Sequence, residues 1–357
     1  MQEGFLPPIH PRIPPTIQRI KERALASSFD CLVGLSGGGD STYLLHQLKT
    51  KHNLRCLAAY YRTPFTSDTT DTNVRTVTSR LEIPLIEMRI SGDHHGDTAR
   101  EFLLAWMKDQ RPVIANMACA VCKFVNREVF RIAAVNNIKT VICGATPFEA
   151  VQVASSIPRN LVLTSKEAAA NQFSILTQLG RTIMILKRGL QVLASSSTLW
   201  KYIPLGIKAS IMYVSPHTPF LRVRYPSIEA FEYFYFAEWN EKELETVLLT
   251  LGWVLPPNCK TIWKSDCCFA ELKNLMFRKM TGASYLDGFL SNMVRAGVLT
   301  RNEALKRLDI QGGASVERIA EACDVLKLSR EQLKAILRLA QGKMEASGLQ
   351  EPTDSGV

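Results

Sequence analysis

The sequence predicts an α/β protein: a doubly wound parallel sheet followed by a helical C-terminal region. Three observations carry that expectation. Short apolar runs alternate with helical patterns from about residue 30 to residue 144, as expected of strands joined by helical crossovers. The first run, Cys31-Leu32-Val33-Gly34-Leu35, leads straight into Ser36-Gly37-Gly38-Gly39-Asp40-Ser41 and then an apolar-rich segment, the order of strand, tight turn and helix. Residues 269–345 then read as a succession of helices.

The elements follow in order. A proline-rich arm runs through Pro15, and residues 16–28 read as a helix led by Pro14-Pro15. Residues 30–35 form the first strand, and the helix after the glycine turn continues to about Lys51. Arg55–Tyr61 is the second strand, Thr69–Leu81 a helix, and Pro84–Ile90 the third strand. Residues 97–110 and 120–136 are helical by spacing, and Lys139–Gly144 is a further strand. From 155 to 225 the pattern turns basic and largely helical, as an insert or cap over the sheet. A helix ends at Leu251-Gly252-Trp253, and the polar last ten residues read as disordered. The expected division is therefore 1–154 (nucleotide-binding α/β domain with its N-terminal arm), 155–225 (basic insert), 226–347 (remainder of the core and helical region) and 348–357 (tail).

The glycine turn is the chemically specific part. Three glycines let the backbone approach a ligand closely, and the helix that follows offers unpaired N–H groups to an anion. Ser36 and Ser41 add hydroxyl donors, and Asp40 can hold a metal ion or a metal-bound water, so Mg²⁺ is the expected companion of a bound phosphate chain. The turn carries no lysine and lacks the spacing of the Walker loop. In a parallel doubly wound sheet the ligand lies at the carboxyl ends of the strands. Tyr60-Tyr61-Arg62 and Gly144–Glu149 therefore matter as well.

Composition narrows the class of partner. The 357 residues are 46% apolar and 21% charged, as in globular soluble chains. The N-terminus shows no export signal, and the apolar stretch 190–214 is broken by Lys201, Pro204 and Lys208, so neither secretion nor a membrane span is expected. Nine cysteines without a disulfide-like distribution fit a reducing cytoplasm. Cys31, Cys56, Cys143 and Cys323 lie in apolar patterns and read as buried thiols. The formal charge of +10 is concentrated in residues 155–225, where nine Lys and Arg face a single acid, Glu167. Such a wall attracts an anionic substrate, a phosphorylated small molecule such as a nucleotide, or RNA. No RNA-recognition signature accompanies it.

A second constellation is Cys119-Ala120-Val121-Cys122, a C-x-x-C expected at the mouth of a helix whose N-terminus would lower the thiol pKa values. There is no second C-x-x-C for a four-cysteine zinc site; the further candidates are Cys267 and Cys268 in Trp263-Lys264-Ser265-Asp266-Cys267-Cys268-Phe269. Three cysteines would leave one iron of a 4Fe–4S cluster open to carry sulfide. Alternatively one thiolate carries a persulfide and another resolves it.

Ser36–Ser41 resembles the pyrophosphate-binding loop of the N-type ATP pyrophosphatases, whose fold is of the adenine nucleotide alpha hydrolase, Rossmann-like type. The resemblance implies ATP bound by Ser36, Gly37, Gly38, Gly39, Asp40 and Ser41, with the strand ends at Tyr61 and Gly144 lining adenine and ribose. With Cys119 and Cys122 downstream, the stretch 30–150 resembles the tRNA cytidine-thiolating branch, which implies a 4Fe–4S cluster on Cys119, Cys122 and, by order, Cys267. Residues 227–305 are instead similar to the sugar amidotransferase-like proteins of lipopolysaccharide and secondary-metabolite clusters. Two positions depart from the thiolating branch. Gly39 stands where lysine is usual, so phosphate charge must be neutralised from elsewhere. After Gly144 the usual acidic pair is missing, leaving Glu149, which weakens a tRNA substrate.

The leading expectation is an ATP-dependent sulfurtransferase that adenylates a carbonyl oxygen of a small anionic substrate, with Asp40, Cys119, Cys122 and Cys267 as its reactive residues. It implies a sulfur-donor protein or sulfide, and allows a homodimer. The runners-up are an amidotransferase fed by ammonia and a tRNA-thiolating enzyme.

Overall fold

The computed structural model describes residues 13–88, 94–149, 183, 197–212, 219–311 and 315–341. Five strands, β1 (Cys31–Leu35), β2 (Cys56–Tyr61), β3 (Leu85–Met88), β4 (Thr140–Cys143) and β5 (Glu229–Glu232), form one sheet in the order β3-β2-β1-β4-β5. Every neighbouring pair is parallel; Cys31 lies opposite Cys56, Leu32 opposite Val141, and Thr140 opposite Glu229. The strands are near-continuous apolar runs because both faces of a parallel sheet are covered.

Alternate residues feed two cores. Val33, Leu35, Ala58, Tyr60, Ile142 and Phe231 join α1 (Ile13–Arg23), α2 (Gly39–His46), α3 (Asp68–Arg80) and the helix Glu241–Thr250 in one cluster. Leu32, Leu57, Ala59, Val141 and Ala230 pack on α6 (Val125–Val135) on the other face. Local signals start the helices. Ser67 accepts from the Thr70 amide at the head of α3, Asn240 from Glu243, and Ser284 with Asp287 closes a capping box. A third cluster joins α4 (His94–Lys108), α5 (Pro112–Met117) and the C-terminal helices Phe269–Thr281, Val316–Val325 and Arg330–Gln341.

Strand order reverses at β1, with β2 on one side and β4 on the other. That switch point opens a crevice beyond Leu35 and Cys143, where doubly wound sheets bind ligands. The expected fold class is what the chain adopts.

Some elements differ from expectation. The segment around β5 does not read as a strand in sequence: Glu-Ala-Phe-Glu has little strand character, and its extended form comes from pairing with β4. The helix expected over 120–136 is instead a 3₁₀ turn, Ala120–Phe124, followed by α6, and α5 is an addition to the expected elements. Cys31, Cys56 and Cys323 are buried, but Cys143 is only partly so because it ends β4 at the crevice. Of the basic insert, residues 155–182, 184–196 and 213–218 lie outside the described residues, as do the N-terminal arm to residue 12 and the tail from 342. The described part of the insert holds the 3₁₀ turn Ser197–Tyr202 and the helices Ile203–Met212 and Pro219–Arg224. No helix among the described residues is long and apolar enough to cross a membrane.

Candidate active site

The loop Ser36–Ser41 leaves the end of β1 and opens α2. Gly37 has a φ of 88°, and a Cβ there would lie 2.5 Å from the Thr70 Cγ2 and 3.0 Å from the Val74 Cγ2, so only glycine fits. Trp253 donates its indole N–H to the Gly37 carbonyl at 2.9 Å. The Ser41 hydroxyl donates to the Gly38 carbonyl and accepts from the Ser36 amide, both at 3.2 Å. The Gly38 amide donates to the Ser36 hydroxyl at 3.3 Å. Gly38 caps α2 without a side chain, which leaves the first-turn N–H groups open to an anion. Gly144, at the end of β4, packs against the Asp40 carbonyl and the Ser41 α-carbon.

A group of charges faces this loop. The Asp40 carboxylate accepts from the Trp239 indole N–H at 2.6 Å. Burial, with the Glu149 charge beside it, pushes the Asp40 carboxyl up to about 7, against the pull of Trp239 and Lys264. The Lys264 ammonium donates to Glu149 at 2.8 Å. Burial works against the Lys264 charge, but Glu149, Asp266 and Asp40 outweigh it and hold the amine above the usual lysine range. Asp266 stands over the loop: a Cβ on Gly38 would lie 3.3 Å from its carboxyl carbon. The segment that carries Lys264 and Asp266 is pinned by Arg318, a buried side chain that donates to the Ser265 carbonyl at 3.2 Å.

The thiols meet on the far side of that segment. Cys119 caps the 3₁₀ turn, and the Cys122 sulfur lies 3.2 Å from His95 Nε2. His95 Nδ1 is 3.1 Å from the Tyr61 hydroxyl, and the two rings stack with centroids 6.0 Å apart. Burial first, then the neighbouring Cys119 charge, pushes the Cys122 thiol up to about 12. Burial, Cys122 and Asp266 raise Cys267 well above the ordinary thiol range. Lys273 hydrogen-bonds Cys119 and Tyr285, its ammonium 4.7 Å above the Tyr285 ring; these two partners outweigh burial and hold it charged.

Cys267 lies within the electrostatic reach of Cys122 and Cys119, and Cys119 and Cys267 both pack against the helical cluster. Cys268, the alternative to Cys267, also acts on the Cys267 thiol; it is buried in the helical cluster with Cys323, and its amide donates to the Phe65 carbonyl at 3.1 Å. The expected lowering of the C-x-x-C pKa values by a helix N-terminus is overturned for Cys122. The pair sits on a 3₁₀ turn rather than at an α-helix start, and desolvation dominates. Tyr61, expected beside adenine or ribose, turns its hydroxyl to His95 and so joins the thiol side. Among the described residues no three His, Cys, Asp or Glu side chains close on one metal ion. The 4Fe–4S cluster that the resemblance implied thus has no support among the described residues.

Sequence reasoning does not single out His95, Trp239, Lys264, Asp266 or Lys273. Lys264 and Asp266 lie within the string around Cys267, and their proximity to it is the available signal. Nothing in the local sequence distinguishes His95 from its neighbour His94.

No protein-family model matches the chain, and no curated protein does. Among solved structures, the chain is similar to an NH3-dependent NAD synthetase from Campylobacter jejuni subsp. jejuni NCTC 11168 in complex with the nitrate ion. Identity there is 12%, over 96% of this chain and 97% of that one, with a TM-score of 0.34. It is also similar to an NMN synthetase from Francisella tularensis, at 11% identity over 90% of this chain and 95% of that one, with a TM-score of 0.35. Neither likeness is close enough to assign a chemistry.

Proposed function

We propose that this chain is an ATP-dependent enzyme that adenylates an oxygen of a small anionic substrate, releases pyrophosphate, and exchanges that oxygen for sulfur. One observation supports the reading: a single segment carries Asp266, whose carboxyl carbon would lie 3.3 Å from a Cβ on Gly38 of the anion-binding loop, and Cys267, whose thiol feels the charges of Cys122 and Cys119. An activating site and a nucleophilic site would then work from the two sides of that segment, near the switch point of the sheet.

The chemistry divides between the two sides. The loop amides and hydroxyls hold the triphosphate, and Mg²⁺, held with help from Asp40, would offset its charge. The substrate oxygen attacks the α-phosphorus, a P–O bond forms, and the bond to the β-phosphate breaks. Oxide is a poor leaving group and AMP a good one. A persulfide on one cysteine then attacks the activated carbon and AMP departs. A second cysteine attacks the carrier sulfur, which frees the thiocarbonyl product and leaves a protein disulfide for an external dithiol to reduce. The persulfide itself comes from a separate sulfur donor. The cations Lys201, Lys208, Arg222 and Arg224, all exposed or part-exposed, belong to the basic stretch that favours a phosphorylated acceptor.

The test uses full-length protein prepared without oxygen, with nucleoside monophosphates as candidate acceptors and a persulfide donor. AMP, pyrophosphate and a product carrying sulfur for oxygen are expected in equal amounts. The Cys119→Ser/Cys122→Ser double variant should keep ATP binding within about twofold, a difference of about 0.4 kcal/mol, and make no thiocarbonyl. Full thiocarbonyl from that variant would remove Cys119 and Cys122 from the chemistry. Wild-type protein that makes AMP and pyrophosphate only with ammonia, and no product carrying sulfur, would sink the sulfur reading. Stoichiometric iron and acid-labile sulfide in the purified protein would replace the persulfide route with a cluster.

A further inference from the structure

We infer that Lys264, approaching from the segment opposite the loop, is the cation that binds the β- and γ-phosphates of the nucleotide. This rests on reading Ser36–Ser41 as an ATP site.

The loop cannot supply the charge itself. It contains one acid and no base, and position 39 is closely walled. A Cβ on Gly39 would already lie 3.3 Å from Leu248 Cδ1, 3.6 Å from Leu244 Cδ2 and 3.9 Å from Ile262 Cβ. The helix Glu241–Thr250 and the segment after it occupy the space a loop lysine would need.

The same segment delivers a lysine two residues later. The Lys264 ammonium sits 2.8 Å from Glu149 and within the electrostatic reach of Asp40 and Asp266, the acids that stand over and within the loop. Among these three carboxylates the Lys264 ammonium offsets one charge, and Mg²⁺ would offset more on a bound triphosphate. Lysine suits this task as a mobile point charge. Its side chain is 45% exposed, and its chain neighbours Ile262 and Trp263 line the pocket beside Gly39 and Asp40.

The backbone at Lys264 points the same way. Its φ is 54°, in the left-handed region that costs a side-chain-bearing residue conformational energy. Two bonds maintain it, from Arg318 to the Ser265 carbonyl and from the Ser265 hydroxyl to the Ile262 carbonyl, at 3.2 and 3.1 Å. A half-exposed ion pair with Glu149 contributes little stability, so the pair alone does not account for a strained lysine held by a buried arginine.

Calorimetry on the full chain in Mg²⁺ buffer, with ATP, pyrophosphate and AMP, tests the assignment. Lys264→Met should weaken ATP and pyrophosphate about 10- to 100-fold and leave AMP within about twofold, because AMP lacks the outer phosphates. Lys264→Arg should recover most of the loss. Where the methionine variant melts early, Lys264→Gln, which still donates to Glu149, takes its place with the same expectation. Unchanged ATP affinity, or equal losses for ATP and AMP, overturns the role of Lys264 while the ATP site stands. A wild-type protein that binds neither ATP nor pyrophosphate overturns the ATP site itself, and the lysine's role with it.

Discussion

The phosphate loop and the thiol pocket lie on either side of one short segment but are built by opposite means. The loop is made of backbone. Its hydroxyls and amides bond one another, Trp253 fixes the Gly37 carbonyl, and its shape exists before any ligand arrives. The thiol pocket is made of side chains from separate parts of the chain: Tyr61, His95, Cys119, Cys122, Cys267 and Lys273. Its polar atoms find partners only after the helices around it have packed. One region is preorganised by local geometry, the other by tertiary contact. A binding function suits the first; in the second, burial raises the Cys122 and Cys267 thiols and favours their protonated form.

The sharpest way to break this contrast is at Gly37. Alanine there combines a left-handed backbone with a methyl 2.5 Å from Thr70. A loss of about 2–5 kcal/mol is expected in urea unfolding, together with loss of ATP binding. The number of cysteines labelled by a maleimide in the native protein should not change. If the thiols become newly reactive as well, the two regions are one cooperative unit.

Asp40 offers a smaller effect of opposite sign. In the unfolded chain it loses its proton near pH 4, as an ordinary aspartate does, whereas in the fold it keeps it to about 7. Between those values the unfolded state binds fewer protons, so stability falls as pH rises and stays lower above 7. Asp40→Asn removes this dependence and still accepts from Trp239. Its melting temperature should match the wild type near pH 4 and exceed it at pH 8 by on the order of 2–4 °C. A variant that melts lower at pH 8 would show that the carboxylate is stabilising where it stands.

The smallest expected change is at Trp253. Phenylalanine retains the packing and loses the bond to the Gly37 carbonyl, for about 1 kcal/mol by urea unfolding. ATP affinity should fall in proportion if the bond shapes the loop, and stay constant if the glycines alone do.

The contrast also explains what can be read from the sequence. The loop is six contiguous residues between a strand and a helix, and both its place and its capping follow from local rules. The sheet is legible for the same reason, since β1 to β4 are apolar runs bounded by turns. β5 is not, because Glu229–Glu232 is a strand only by virtue of its neighbour β4. In the pocket, order alone pairs Cys119 and Cys122 with a cysteine at 267 or 268, but it says nothing of the electrostatics. A C-x-x-C looks like a low-pKa pair until the packing that desolvates it is known. His95 and Lys273 carry no local mark, and no spacing rule connects either of them to a cysteine.

Lys264 and Cys267 are three residues apart in one chain, so their α-carbons lie within about 11 Å however the segment bends. That tether couples the two regions mechanically: a shift of this segment toward the loop moves the backbone of Cys267 with it. In the proposed reaction it would keep the phosphate side and the sulfur side in register without a separate moving domain.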